Sequence, residues 1–384
     1  MQPRLKIDIG WRDLASILLP VRQDLDRLEA QIAAHAPADV HVVVGLSVRS
    51  LFLALLSETA ASAKPVAMSA VTVADMASLA QASGCTVRPI DIDLATLLPA
   101  PEAARLACGD DAGMLVIAHI YGTRGSMEGI AAACAAPGRL IVEDCAQAFD
   151  GRLFLSPGAD VALYSFGPIK TATALGGAIG LFHDPALADR VRRRIADWPR
   201  LSDSWFLRRA AKYAVLKFLS TPAVYGLFFT ALTTLSSNPD ARIGSLARGF
   251  SAGPIEDAIR HRPPPRLLQL LSRRLQTWRA PADATAPLLE RLSRSLTVPG
   301  LASRPSHWWL APILTPEPDR LVKCLRSRGY DATRGTTSMR ALADAAGTVP
   351  PAAAQLIASV VYLPKPADKD AADRLAKAVE GALT

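Results

Sequence analysis

A ladder of short apolar runs, each ended by polar side chains and separated from the next by a helical stretch, constrains this chain more than any other feature. The runs are His41-Val-Val-Val-Gly45, Val66-Ala-Met68, Thr86-Val-Arg-Pro-Ile90, Met114-Leu-Val-Ile-Ala-His119, Arg139-Leu-Ile-Val142, Asp160-Val-Ala-Leu-Tyr164 and Gly177-Ala-Ile-Gly-Leu-Phe182. Continuous apolar strands alternating with helices predict a buried, mostly parallel sheet covered on both faces, an α/β architecture. Ligands of such sheets bind beyond the carboxyl ends of the strands. That places His119, Asp144 and the stretch from Ser165 to Lys170 along one candidate crevice. A helix is expected over 12–35, from apolar residues spaced three and four apart (Leu14, Leu18, Val21, Leu25, Leu28, Ile32).

At 384 residues the chain has room for a large core and a second domain. Its pattern changes after Phe182. We read a large α/β domain over 1–197, a hydrophobic and basic segment over 198–255, and a smaller α+β C-terminal domain over 256–384. The last rests on strand-like His307–Leu314 and Ser359–Leu363 with helices between and after them. Five scattered cysteines without a CxxC pair exclude a disulfide framework or zinc site and point to a reducing compartment. No metal ligand set is expected. The start Met1-Gln-Pro-Arg-Leu-Lys lacks the apolar stretch of a signal peptide, which predicts a cytoplasmic protein. The net charge of +8 has a local origin, since eight basic residues face two acidic ones between Arg192 and Lys217. No nucleic-acid-binding pattern accompanies it, so nucleic acid is not expected as a partner.

Two strand ends carry the chemistry. Val142-Glu-Asp144-Cys-Ala-Gln147 ends one apolar run in an acid, and Ser165-Phe-Gly-Pro-Ile-Lys170 follows a later one with a lysine. An amine for a Schiff base and a carboxylate that keeps a pyridine nitrogen protonated are what pyridoxal 5'-phosphate (PLP) chemistry requires. Ser47, at the start of a helical run, offers backbone N–H groups to an anion.

These segments resemble, in order and spacing, the DegT/DnrJ/EryC1/StrS family, the sugar-aminotransferase branch of PLP fold type I. The resemblance rests on Ser47-Val-Arg-Ser-Leu-Phe-Leu-Ala-Leu55, Gly84-Cys-Thr-Val-Arg-Pro-Ile-Asp-Ile-Asp93, Ala118-His-Ile-Tyr-Gly122, the Asp144 and Lys170 segments, and Gly176-Gly177. It implies a PLP-dependent aminotransferase, and it implies roles. Lys170 would form the Schiff base and carry a proton, Asp144 would pair with the ring nitrogen, and Gln147 would lie near the phenolic oxygen. Ser165, with Ser47, Val48 and Arg49 at the helix start, would hold the phosphate, and His119 would line the site. Homodimerisation is implied as well. The chain is a divergent member: Val48 stands where the family has threonine, Arg49 is a candidate compensation, Gly167 replaces a common histidine, and the family's Asn-x-Arg segment is not recognisable. Val73 stands where an aromatic often stacks on the ring.

The resemblance thus implies transfer of an amino group, from glutamate, onto a keto group of a nucleotide-linked sugar or of a lipid-linked or hydrophobic carbonyl substrate. Other PLP chemistry (lyase or decarboxylase) and a membrane-peripheral, non-catalytic protein on the same fold are the alternatives. The uncharged run Phe218–Ser237, preceded by the basic stretch, reads either as peripheral contact with the inner face of the membrane through 205–235 or as a helical pair at a dimer interface. In the first reading Trp205, Phe206, Phe228 and Phe229 enter the lipid. Arg334 is either a loop arginine or an anion ligand.

Overall fold

The computed structural model of the protein describes the chain except residues 5, 22, 60–63, 236–238, 248–254, 304, 306, 336–338 and 384. Ser236 and Ser237 of the uncharged run, part of the 198–255 segment and the end of the Arg334 loop therefore lie outside the described residues. In chain order the strands are β1 (His41–Gly45), β2 (Val66–Ser69), β3 (Val71–Val73), β4 (Val87–Ile90), β5 (Met114–Ala118), β6 (Leu140–Asp144), β7 (Val161–Ser165), β8 (Ala178–Phe182), β9 (Ala311–Leu314), β10 (Met339–Ala341) and β11 (Val360–Leu363). Seven of them form one sheet in the order β1-β8-β7-β6-β5-β2-β4. All neighbours pair in parallel except β8, which is antiparallel to β1 and β7. The carboxyl ends of β1, β2, β5, β6 and β7 therefore share one edge.

Both faces are covered because alternate residues of each strand belong to different cores. Val161 and Leu163 of β7 pack with the helices Val48–Glu58 and Pro185–Ala196. Ala162 and Tyr164 face the opposite layer, which includes Leu28 and Ile32 of the helix Leu25–Ala33 and Leu267, Leu268 and Leu271 of the helix Pro265–Thr277. A third core joins the antiparallel pair β9–β11 to the helices Thr285–Leu292, Pro318–Ser327, Pro351–Ser359 and Lys369–Leu383. Strand β10 pairs with β3, so the C-terminal part reaches back to the end of β2. The expected mostly parallel sheet and α+β unit are both present.

Three local features depart from the sequence expectations. The helix expected over 12–35 is two helices, Trp11–Ser16 and Leu25–Ala33. Pro20 lies between them; it lacks an N–H and disfavours helical backbone at Leu19. The strand expected from His307 begins at Ala311, because His307–Leu310 forms a turn seated on Gly122. Gly122 has φ +98° there, and a Cβ at that position would come within 2.4 Å of the His307 carbonyl oxygen. The third concerns the uncharged run. The helices Asp203–Leu219 and Pro222–Leu235 meet at a 99° bend just before Pro222, and no single helix among the described residues is long and apolar enough to cross a membrane. Phe206 and Phe229 are buried within the chain, so they cannot be the lipid-facing aromatics expected of this segment. Tyr225 turns inward and donates to the buried carboxylate of Asp331, which also pairs with Arg4 at 2.6 Å.

Candidate active site

The loop between β7 and β8 carries Lys170 and is built under tension. Ala172 and Leu175 have φ of +52° and +62°, a backbone region that disfavours a Cβ by roughly 1–2 kcal/mol per residue. Side chains from distant segments brace it. The Asp8 carboxylate accepts from Ala172 N at 2.7 Å, Arg274 Nε donates to the Thr173 carbonyl at 3.2 Å, and Arg209 Nε donates to the Leu175 carbonyl. Inside the loop, the Thr173 hydroxyl donates to the Gly167 carbonyl at 2.6 Å and accepts from Leu175 N at 2.9 Å. The bracing directs the Lys170 side chain into the cleft, where Nζ sits 4.1 Å from the centroid of the Trp309 ring. Trp309 is fixed in turn, donating from Nε1 to the Ile169 carbonyl at 2.8 Å and from its backbone N to the Tyr121 carbonyl at 2.9 Å.

Asp144 ends β6 on the same edge, buried, with its carboxylate accepting from Ala146 N at 3.0 Å. Burial raises its pKa, while Ala146 N–H, the Lys170 ammonium, His119 and Arg49 work in the other direction; the net shift is upward. Burial lowers the Lys170 pKa to about 8, Asp144 opposing and Arg49 assisting. The cleft therefore makes an amine available near neutral pH and leaves a carboxylate that a cation would hold ionised.

Beneath this edge the adjacent residue Glu143 points to the other face of the sheet. It is fully buried and accepts from Ser156 N at 2.9 Å, Ser156 Oγ at 2.7 Å, His119 Nε2 at 2.9 Å and Arg124 Nη2 at 3.3 Å. Burial alone would raise its pKa, but His119, Arg124 and Ser156 hold it at about 2. The donor atoms of His119, Glu143 and Cys145 lie within 4.8 Å of one another. Arg124 and Ser156 already occupy the carboxylate oxygens that a cation would need.

The sequence-derived candidates fall into two groups. Lys170, Asp144, Ser165, Ser47, Val48 and Arg49 line one edge: Ser165 is in register with Ala178, which is in register with Gly45, and Ser47 caps the helix Val48–Glu58 by accepting from Ser50 N at 3.1 Å. Val48 is buried and brings only its backbone N–H, while Arg49 pairs with Asp75. Gln147 is buried nearby, its Oε1 accepting from Tyr121 N at 3.0 Å. His119 bonds through Nε2 to Glu143 and from its backbone N to the Asp144 carbonyl at 3.0 Å, and its buried Nδ1 has no hydrogen-bond partner among the described residues. Arg334 pairs with Asp319 at 3.3 Å and donates to the Ala358 carbonyl. Sequence reasoning missed Trp309 and Arg209. The first was read as a strand residue of Trp308-Trp309 and the second as part of a basic surface.

A strand-end carboxylate facing a desolvated lysine, on the carboxyl edge of a parallel sheet closed by one antiparallel strand, is the architecture of the PLP fold-type-I aminotransferases. Among solved structures, the aminotransferase TlmJ from Streptoalloteichus hindustanus is similar with a TM-score of 0.68 at 18% identity, over 100% of this chain and 99% of that one. Residues 19–197 match the DegT/DnrJ/EryC1/StrS aminotransferase family. A pleiotropic regulatory protein of Geobacillus stearothermophilus is 29% identical over 171 residues, covering 43% of this chain and 46% of that protein. The erythromycin biosynthesis sensory transduction protein EryC1 of Saccharopolyspora erythraea is 25% identical over 209 residues, 48% of this chain and 57% of that protein. The chain thus spans about half the length of these curated relatives.

Proposed function

We propose that this protein is a PLP-dependent aminotransferase, working as a homodimer, that moves an amino group from glutamate to the keto group of a nucleotide-linked sugar or of a lipid-linked or hydrophobic carbonyl compound. The observation that carries the reading is Lys170: a lysine with its pKa brought down to about 8, held by a braced loop opposite the buried Asp144. The residues fit the cofactor, since a buried carboxylate whose pKa is raised in its absence is suited to a cationic ring nitrogen. PLP, when bound, supplies an aldehyde for the amine and a ring that withdraws electrons. In this reading Lys170 would offer its free amine to the cofactor aldehyde and would carry a proton on the same nitrogen. Asp144 keeps the ring nitrogen protonated, Gln147 lies by the phenolic oxygen, and Ser165 with the N–H groups of the Ser47-capped helix takes the phosphate. His119 supports β6 through its bond to Glu143 and also acts on the Asp144 carboxylate.

Mixing the PLP-loaded protein with glutamate tests this against lyase or decarboxylase chemistry. The expected result is one equivalent of 2-oxoglutarate with loss of the visible absorbance; release of carbon dioxide instead would reject the reading.

A peripheral membrane contact is a second reading, favoured by apolar side chains left outside: Phe218 and Leu227 are 54% and 77% exposed, and Trp11 lies 5.7 Å from Lys217 Nζ. An apolar patch bordered by lysine suits an anionic lipid surface. Phe218→Asp with Leu227→Asp should abolish co-sedimentation with phosphatidylserine-containing vesicles. Undiminished sedimentation of the double variant would reject lipid contact there, and loss of the dimer would assign these residues to a subunit interface.

A further inference from the structure

The cationic groups of the site gather at the Lys170 end of the cleft. Arg209 lies on the helix Asp203–Leu219, half-buried, with its guanidinium 5.1 and 5.4 Å from the ring centroids of Trp205 and Tyr213. Its Nε bonds to the Leu175 carbonyl and stands 3.9 Å from where a Cβ on Gly176 would be. Gly177, the next residue, donates to the Leu46 carbonyl at 2.9 Å, and Leu46 directly precedes the cap residue Ser47. Arg209, the start of the helix Val48–Glu58 and Ser165 therefore share one short length of sheet edge. Arg49 enters the same region from the helix itself. Burial, together with Arg49, lowers the Arg209 pKa, the signature of a field that an anion would relieve.

We propose that Arg209 is a ligand of the cofactor phosphate, supplied from the same chain. The proposal rests on the PLP reading above. In PLP the phosphate arm is on the ring carbon next to the one bearing the aldehyde, and the ring nitrogen lies across the ring from that aldehyde. With Lys170 at the aldehyde and Asp144 at the nitrogen, the phosphate falls at the Lys170 end, where Arg209 and the helix N–H groups converge. A guanidinium offers paired donors that match a phosphate. Arg209 lies beyond residue 197, where the family match ends, and its helix brings it to the site only through the fold. The competing role is a purely structural brace of the Lys170 loop.

Equilibrium binding of PLP and of pyridoxal, which lacks the phosphate, separates the two. In Arg209→Gln the affinity for PLP should fall about ten- to a hundredfold, with pyridoxal binding changed less than about twofold. Equal losses for both ligands would make Arg209 a brace and overturn the assignment, as would unchanged binding of both. Wild-type protein that binds neither would remove the cofactor reading and this assignment with it. A measurement on the wild type covers a variant that does not fold: PLP, but not pyridoxal, should protect Arg209 from an arginine-selective dicarbonyl reagent in peptide mass analysis. Equal protection by both, or by neither, would reject the contact.

Discussion

Lys170→Ala is expected to abolish the visible absorbance of the PLP-loaded protein and to lower glutamate-dependent turnover by at least about a thousandfold. The guanidiniums of Arg49 and Arg209 cannot substitute, because arginine does not lose its proton at working pH. The same change should leave the thermal midpoint unaltered or slightly raised, because it removes an ammonium buried against Trp309 and so relieves a desolvation cost. Loss of function with retained stability separates a chemical role from a structural one. Retained absorbance in Lys170→Ala would eliminate the proposed function.

The lysine's proton affinity supplies the pH dependence. Its folded pKa of about 8 lies below the ordinary lysine value, so the reactive neutral form grows about tenfold per pH unit up to that point and levels off above it. The rate at which the apoprotein takes up PLP should follow that curve, with a midpoint near 8. A midpoint near the ordinary lysine value would mean that the amine is solvated and the braced loop does not hold it in the cleft. Asp144→Asn offers a related comparison, since removing the opposing anion should move the midpoint downward.

Much of this was legible before any coordinates. Strands β2, β5, β7 and β8 were readable because they are buried on both faces and so appear as near-continuous apolar runs. The site edge was readable because Asp144 and Lys170 sit where such runs stop. What could not be read depends on contacts between distant segments. Trp309 looks like a strand residue until the turn at His307–Leu310 settles on Gly122. Arg209 belongs to a basic stretch whose composition suggests a surface, and only the packing of the helix Asp203–Leu219 against the Leu175 turn brings it to the cleft. The same packing buries Phe206, while Phe229 is buried beside Tyr225 and Arg326; hydrophobicity alone assigns both equally well to lipid. Glu143 illustrates the limit most clearly. Alternation along β6 sends it to the face opposite Asp144, but nothing local shows that it meets there an arginine nineteen residues earlier in the chain.

Glu143→Gln should cost about 3 kcal/mol of stability at neutral pH, read as a lowered urea midpoint with unchanged slope. The replacement keeps the size of the side chain but removes the charge that compensates Arg124, whose guanidinium also bonds to Tyr164 Oη at 2.7 Å, and breaking a buried pair strands its partner. The sign with pH follows from the direction of the shift. Glu143 has its folded pKa at about 2, below the ordinary value of 4.5, so the unfolded chain binds the proton more readily between those limits. Its contribution is complete above pH 4.5 and is lost as the pH falls toward 2. At pH 3 about half of the difference between wild type and Glu143→Gln should remain, and near pH 2 most of it should be gone. A variant that stays less stable by the same amount throughout would owe its deficit to packing and not to charge. Equal midpoints at neutral pH would mean that the network under β6 offsets no more than its own desolvation, and the rigidity of the Asp144 strand end would then have to come from the sheet alone.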